Sequence, residues 1–268
     1  MHCRRLIISL LISLLLFGSC SLFNPSEDYV EKRIFFSEEK LSGSKNYYVL
    51  IISDLHMRSC NNLPFSKVMT EIQNGTFKNQ SDILFCAVLG DITTSASENE
   101  FQEYIKFKTC LENNKIKVFE VPGNHDFFDE PIHGENYRKY VRDNSFYRVI
   151  VNNHSFYFLD NADGYLGNSQ LKILESEFKK DKNVKTVFAH NPFYTKDLTG
   201  KMLDFQECAI IANLLSLSNV DYYFCGHTHV PEVNVFSNYS EVILDIFSAG
   251  YVLLSVSENG NSYSFEKF

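Results

Sequence analysis

The stretch "VDYYFCGHTH" at residues 220–229 decides how the chain reads. Its first part is a nearly continuous apolar run, which suits a strand buried on both faces. It breaks at Gly226 into two histidines, His227 and His229, on either side of one threonine. A lone pair of histidines carries little information. Four other runs repeat the pattern: "YYVLIISD" (47–54), "DILFCAVLGD" (82–91), "KIKVFEVPGNHD" (115–126) and "VKTVFAHN" (184–191). Each closes on polar residues: Asp54 and His56; Asp91; Asn124, His125 and Asp126; His190; and, in the first stretch, His227 and His229. Ligand sites in α/β sheets gather where strand C-termini open into loops. Residues far apart in the chain can therefore meet at one place.

Between these runs lie segments with helical spacing of apolar residues. "EFQEYIKFKTCL" (100–111) puts Phe101, Tyr104, Ile105 and Leu111 on one face, and "SQLKILESEFKK" (169–180) does so with Leu171, Leu174 and Phe178. "LDFQECAIIANLLSL" (203–217) groups Ile210, Ile211, Leu214 and Leu215. Strand–helix alternation predicts an α/β fold. "YRVIVNNHSFYFLDN" (147–161) reads as a hairpin turning at residues 152–154, and the tail after residue 231 alternates as antiparallel strands. Parallel and antiparallel portions together predict mixed sheets.

Taken in order, "DLH", "GD", "GNHD", "FAHNP" and "GHTH" resemble the calcineurin-like metallophosphoesterase superfamily, over most of residues 47–229. "GD" alone is weak; five blocks in order, each at a strand end, are specific. The resemblance implies a four-layer α/β/β/α sandwich with two mixed β-sheets and a dinuclear metal site at the strand C-terminal ends. It gives Asp54, His56 and His229 to one metal, Asn124, His190 and His227 to the other, and Asp91 to both. It also makes His125 a proton donor to the leaving alkoxide rather than a ligand. Asp126, next in the chain, would orient the His125 ring and hold its proton. Alternation along an extended segment would set His227 and His229 on the same face.

The chemistry accounts for these residue types. Two divalent cations about 3.5–4 Å apart clamp the attacking and leaving oxygens of a phosphoryl displacement. Their mutual repulsion is about 20 kcal/mol at an effective dielectric near 20, which a carboxylate between them offsets. Two carboxylates and two divalent ions leave the site at +2, enough to hold an anion inside an acidic protein. Nitrogen and oxygen ligands without thiolate suit Mn, Fe or Zn and do not choose among them. The expected reaction is hydrolysis of a phosphoric mono- or diester by a metal-bound hydroxide. Alternatives are a nuclease or cyclic-nucleotide phosphodiesterase with the same site, or a non-catalytic surface lipoprotein retaining the fold.

The N-terminus carries a different signal. Arg4 and Arg5 precede "LIISLLISLLLF" (6–17), too short to span a bilayer comfortably, and then "GSC" ending at Cys20. Small residues before a cysteine resemble the bacterial lipobox, although Phe17 departs from its usual aliphatic residue. The expected division is a signal peptide over 1–19, lipidation at Cys20, a polar tether over 20–45, broken by "RIFF" (33–36) and with one short strand at its end, and one domain over 46–268. An ordinary secretory signal or an uncleaved anchor are the alternatives. The reading places the protein outside the cytoplasm, held to a membrane by its N-terminal lipid.

Net charge is −8, or −10 once residues 1–19 are removed, so no extensive nucleic-acid face is expected. An odd set of cysteines remains beyond Cys20, with no C-x-x-C spacing, so no complete disulfide framework is expected. Arg58, two residues after His56, could reach a substrate phosphate or be an exposed structural arginine. His133, in the loop-like stretch 127–140, could line the cleft or lie on the surface. Cys60 and His154 read as structural.

Overall fold

A computed structural model of the chain describes residues 35–127, 134–196 and 204–268. Residues 1–19, expected to be a signal peptide, together with Cys20 and His133, lie outside the described residues.

Two mixed sheets form the centre. One runs, in spatial order, β1 (Ser37–Leu41), β5 (Tyr147–Val151), β6 (His154–Phe158), β7 (Val184–Phe188), β8 (Val220–Cys225), β10 (Ser240–Ile243) and β9 (Glu232–Val235). The other runs β12 (Ser262–Glu266), β11 (Tyr251–Val256), β2 (Tyr47–Ile52), β3 (Ile83–Leu89) and β4 (Lys117–Val121). Strands β2, β3 and β4 are mutually parallel, as are β6, β7, β8 and β10. The hairpin forms as expected, with β5 antiparallel to β6 and Asn152 at φ 53° in the turn.

The strands are apolar on both faces because both faces are covered. Between the sheets, Val49, Ile51, Phe85 and Leu89 pack against Val149, Phe156, Phe158, Phe188 and Phe224. On the outer face of the smaller sheet, Leu50, Ile52, Cys86 and Val88 meet α1 (Phe65–Asn74) and α2 (Glu98–Asn113). On the outer face of the larger sheet, Tyr157, Val187, Tyr223 and Cys225 meet α4 (Gly167–Lys180) and α5 (Phe205–Leu217). The order is helix, sheet, sheet, helix. Local chemistry sets the helix starts: Ser97 and Glu100 form a capping box at α2, and Asp204 accepts from Gln206 N at 2.7 Å at α5.

The structure corrects two expectations and adds one helix. Residues 37–41 are not tether: β1 pairs in parallel with β5 from Ser37↔Tyr147 to Leu41↔Val151, so the domain begins before residue 46. Second, part of the loop-like stretch 127–140 is α3 (Glu135–Tyr140), whose Tyr137 is buried against Phe101 and Phe127. The added helix, α1, escaped the sequence reading. It buries Phe65, Val68 and Ile72 at positions i, i+3 and i+7 and stops at Gly75, φ 69°. The described cysteines Cys60, Cys86, Cys110, Cys208 and Cys225 are all free thiols.

Candidate metal centre

The loops after β2, β3 and β4 in one sheet and after β7 and β8 in the other open onto the same end of the sandwich. They bring together every residue singled out at a strand end. Potential ligand atoms of Asp54, His56, Asp91 and His229 all lie within 4.8 Å of one another, and so do those of Asp91, His190 and His227. Asp91 belongs to both groups. Its Oδ1 is 3.3 Å from His190 Nε2 and its Oδ2 is 3.8 Å from His56 Nε2. Asn124 Oδ1 lies 3.1 Å from His190 Nε2, which joins it to the second group.

The backbone is bent to make this possible. Asp54, His56, Asp91, His227 and His229 all have positive φ, between 42° and 71°. That region is sparsely populated for non-glycine residues, and strain of this kind clusters at functional sites. It also corrects the reason given for His227 and His229 facing the same way. Strand β8 ends at Cys225, so no extended alternation reaches them. Left-handed turns at both histidines aim Nδ1 of His227 at His190 and Nε2 of His229 at Asp54 and His56.

Two glycines in the motifs exist because the loops touch. A Cβ on Gly226 would lie 1.8 Å from Ser53 Oγ, and one on Gly123 would lie 2.2 Å from Asp91 N and Oδ1. Cross-loop hydrogen bonds then fix these side chains. Asp54 accepts from His227 N at 3.0 Å and from Ser53 Oγ at 2.7 Å; His56 N donates to Asp91 O at 2.9 Å.

The donor set fits cations. His190 Nδ1 lies 2.8 Å from Leu89 O, so it carries the proton, and Nε2 presents a lone pair in the neutral ring. That lone pair faces His227 Nδ1 at 3.2 Å, Asn124 Oδ1 at 3.1 Å and Asp91 Oδ1 at 3.3 Å. Likewise, His56 Nε2 and His229 Nε2 are 3.1 Å apart. Acceptors crowded onto acceptors are stable only with a proton or a metal ion among them. Proton affinities show the same field. Burial works to lower the pKa of His190, but the adjacent Asp91 outweighs it and pushes it up to about 9. Asp91 is raised by burial yet held well below the usual carboxylate range by His190. His227 is pushed down to about 4, first by burial and then by His190.

His125 takes part differently. Its backbone N donates to Asp91 Oδ1 at 2.9 Å, and its ring stands edge-on to His56 with centroids 4.9 Å apart. Its Nδ1 lies 2.8 Å from Thr94 O, which sets the ring's orientation and puts a proton on Nδ1. Asp126 does not fill the role expected of it. Its carboxylate accepts from Thr93 N and Gly123 N, both at 2.9 Å, and from Thr93 Oγ1 at 3.1 Å. It is fully buried, and burial together with Asp91 pushes its pKa up to about 7. Asp126 therefore braces the β3 and β4 loops, while a main-chain carbonyl orients His125.

Sequence reasoning also missed Asn161. Its Oδ1 accepts from both His190 N and Asn191 N at 2.9 Å, and its Nδ2 donates to Asn191 O at 2.8 Å. It ends the run after β6, so it too is a polar residue at a strand end, the signal that marked the others.

The fold and this cluster define a class, and comparison places the chain within it. The chain belongs to the calcineurin-like phosphoesterase family, whose model matches residues 47–231. A Fibrobacter succinogenes protein named "Probable cyclic nucleotide phosphodiesterase" is 27% identical over 158 residues, covering 57% of this chain; the match spans 60% of that relative's length. Among solved structures, a dimetal phosphatase from Danio rerio superposes with a TM-score of 0.66 at 12% identity, covering 82% of this chain and 96% of that one. A purple acid phosphatase from yellow lupin (Lupinus luteus) seeds gives 0.64 at 13% identity, covering 84% and 52%. At these identities the structures share the fold.

Proposed function

We propose that the protein is a metal-dependent hydrolase of phosphoric mono- or diesters. The observation that carries this reading is Asp91, whose two oxygens face two separate groups of ligand atoms. Asp54, His56 and His229 would hold one divalent ion, Asn124, His190 and His227 the other, with Asp91 between them. When bound, such a pair supplies Lewis acidity and lowers the pKa of water towards about 7.

The chain's own residues do the rest. The oxygens of Asp91 and Asp54 balance the positive charge and leave a net attraction for a phosphoryl anion. Hydrogen bonds that His190 donates to Leu89 O and Asn161 Oδ1 hold it and its loop in place before substrate arrives, so no reorganisation is needed. His125, with Nδ1 fixed on Thr94 O, moves a proton from Nε2 of its imidazolium to the departing oxygen. Hydrolysis of p-nitrophenyl phosphate, bis-p-nitrophenyl phosphate and cyclic nucleotides after loading with Mn, Fe or Zn tests the reading. Activity on at least one ester supports it, and inactivity on all of them with every metal contradicts it. The name of the Fibrobacter relative makes cyclic nucleotides the first diesters to assay.

The N-terminal reading supplies a location. Arg4, Arg5, the apolar run 6–17 and Gly18-Ser19-Cys20 support an extracytoplasmic protein anchored by lipid on Cys20. Incorporation of labelled palmitate, lost in Cys20→Ser, tests it.

A further inference from the structure

Arg58 follows His56 by two residues on the loop after β2. The loop is pinned to its neighbour: Met57 N donates to Ile92 O at 2.8 Å, and Met57 bridges Thr93 in parallel. Arg58 is exposed, and among the described residues it has no hydrogen-bond or ion-pair partner. Other arginines behave differently. Arg142 pairs with Glu39 at 3.3 Å, and Arg148 pairs with Asp181 at 3.2 Å and with Glu38. In a chain of net charge −8, carboxylates are plentiful, yet among the described residues this guanidinium pairs with none.

Arg58 lines a cleft of about 210 Å³ that also contains His56. Leu55, Phe65 and Ile246 give the cleft apolar walls, and Asn62 and Ser248 add polar groups. His56 belongs to both the cleft and the ligand cluster, so the cleft adjoins the place where the phosphoryl group of an ester would sit. A guanidinium presents a rigid fork of donors that matches carboxylate or phosphate. The small apolar walls suit a short carbon link.

We propose that Arg58 and this cleft select phosphoesters whose organic half carries a second anionic group a short link from the ester oxygen. The inference rests on the phosphoester reading above. It deepens that reading by naming a substrate class and the residue that recognises it.

The test uses the full chain loaded with Mn²⁺ and whichever p-nitrophenyl ester it hydrolyses. Phosphoglycolate and ethyl phosphate compete for the site and differ by one carboxylate. Phosphoglycolate should inhibit at about fivefold lower concentration than ethyl phosphate, the scale of one partly exposed ion pair. Arg58→Ala should bring the ratio close to one, and Arg58→Lys should retain part of it. Equal inhibition by the two compounds in the wild type, or a ratio unchanged in Arg58→Ala, would overturn the inference alone. Absence of hydrolysis of every ester would instead overturn the phosphoester reading and this inference with it.

Discussion

Asp91 Oδ1 stands 3.3 Å from His190 Nε2, so the end of β3 in one sheet meets the end of β7 in the other through a carboxylate–imidazole contact. Away from this end the sheets pack through apolar side chains; here they also share charge, at this contact and where His229 Nε2 lies 3.2 Å from Asp54 Oδ1. Asp91→Asn keeps the shape and removes the charge. It should reduce bound metal to one equivalent or less and lower kcat by at least about 100-fold. Metal analysis and steady-state kinetics on the same preparation check both.

His227 and His229 serve opposite sides of the cluster. His227 Nδ1 is 3.2 Å from His190 Nε2, and His229 Nε2 is 3.2 Å from Asp54 Oδ1. Each alanine variant should weaken a different metal position. With Mn²⁺, either one should retain about one ion and lose the magnetic coupling of a two-ion centre, and the double variant should lose both ions. Paramagnetic resonance of the three variants distinguishes this from a shared single site.

His125 and Asp126 are neighbours with separate tasks. His125→Ala should cut kcat by about 100- to 10,000-fold with metal content near normal. Asp126→Ala strands the donors Thr93 N and Gly123 N and should cost about 3 kcal/mol of stability. The Asp126 variant should keep the pH profile of whatever activity it retains. Loss of metal in His125→Ala, or an altered pH profile in Asp126→Ala, would reverse the assignments.

Glu241 on β10 supports the loop after His190. Its carboxylate accepts from Phe193 N at 2.9 Å, Tyr194 N at 3.3 Å and Asn234 Nδ2 at 3.2 Å. Burial nonetheless pushes its pKa up to about 8. A carboxyl raised in the fold contributes stability that is full below its unfolded value near 4.3 and is lost as pH rises through 8. Thermal melts between pH 5 and 9 should therefore show a falling contribution that is absent in Glu241→Gln. Equal slopes in the two proteins would show that Glu241 does not titrate in this range.

The strand ends were legible because each combined an apolar run with an abrupt polar cluster, a pattern visible without tertiary information. The motif glycines were legible as letters, but their cause was not. Only packing shows that Gly226 makes room for Ser53 and Asp54. Sequence adjacency misassigned Asp126: three neighbouring N–H and O–H groups claim its carboxylate, and a carbonyl at Thr94 claims His125. Main-chain acceptors have no side-chain signature, so no reading of residue types finds them. Strand β1 was hidden by its composition. "SEEKL" is polar because it is an edge strand with alternating half-exposed residues, and it reads as linker until its partner β5 is known.

The central claim is a two-ion centre bridged by Asp91, and metal content of the purified full chain tests it most directly. After reconstitution with Mn²⁺, Fe²⁺ or Zn²⁺ and removal of loosely held ions, the account predicts two equivalents per chain in the wild type and one or fewer in Asp91→Asn. A wild-type protein that retains no metal under any of these conditions would contradict it.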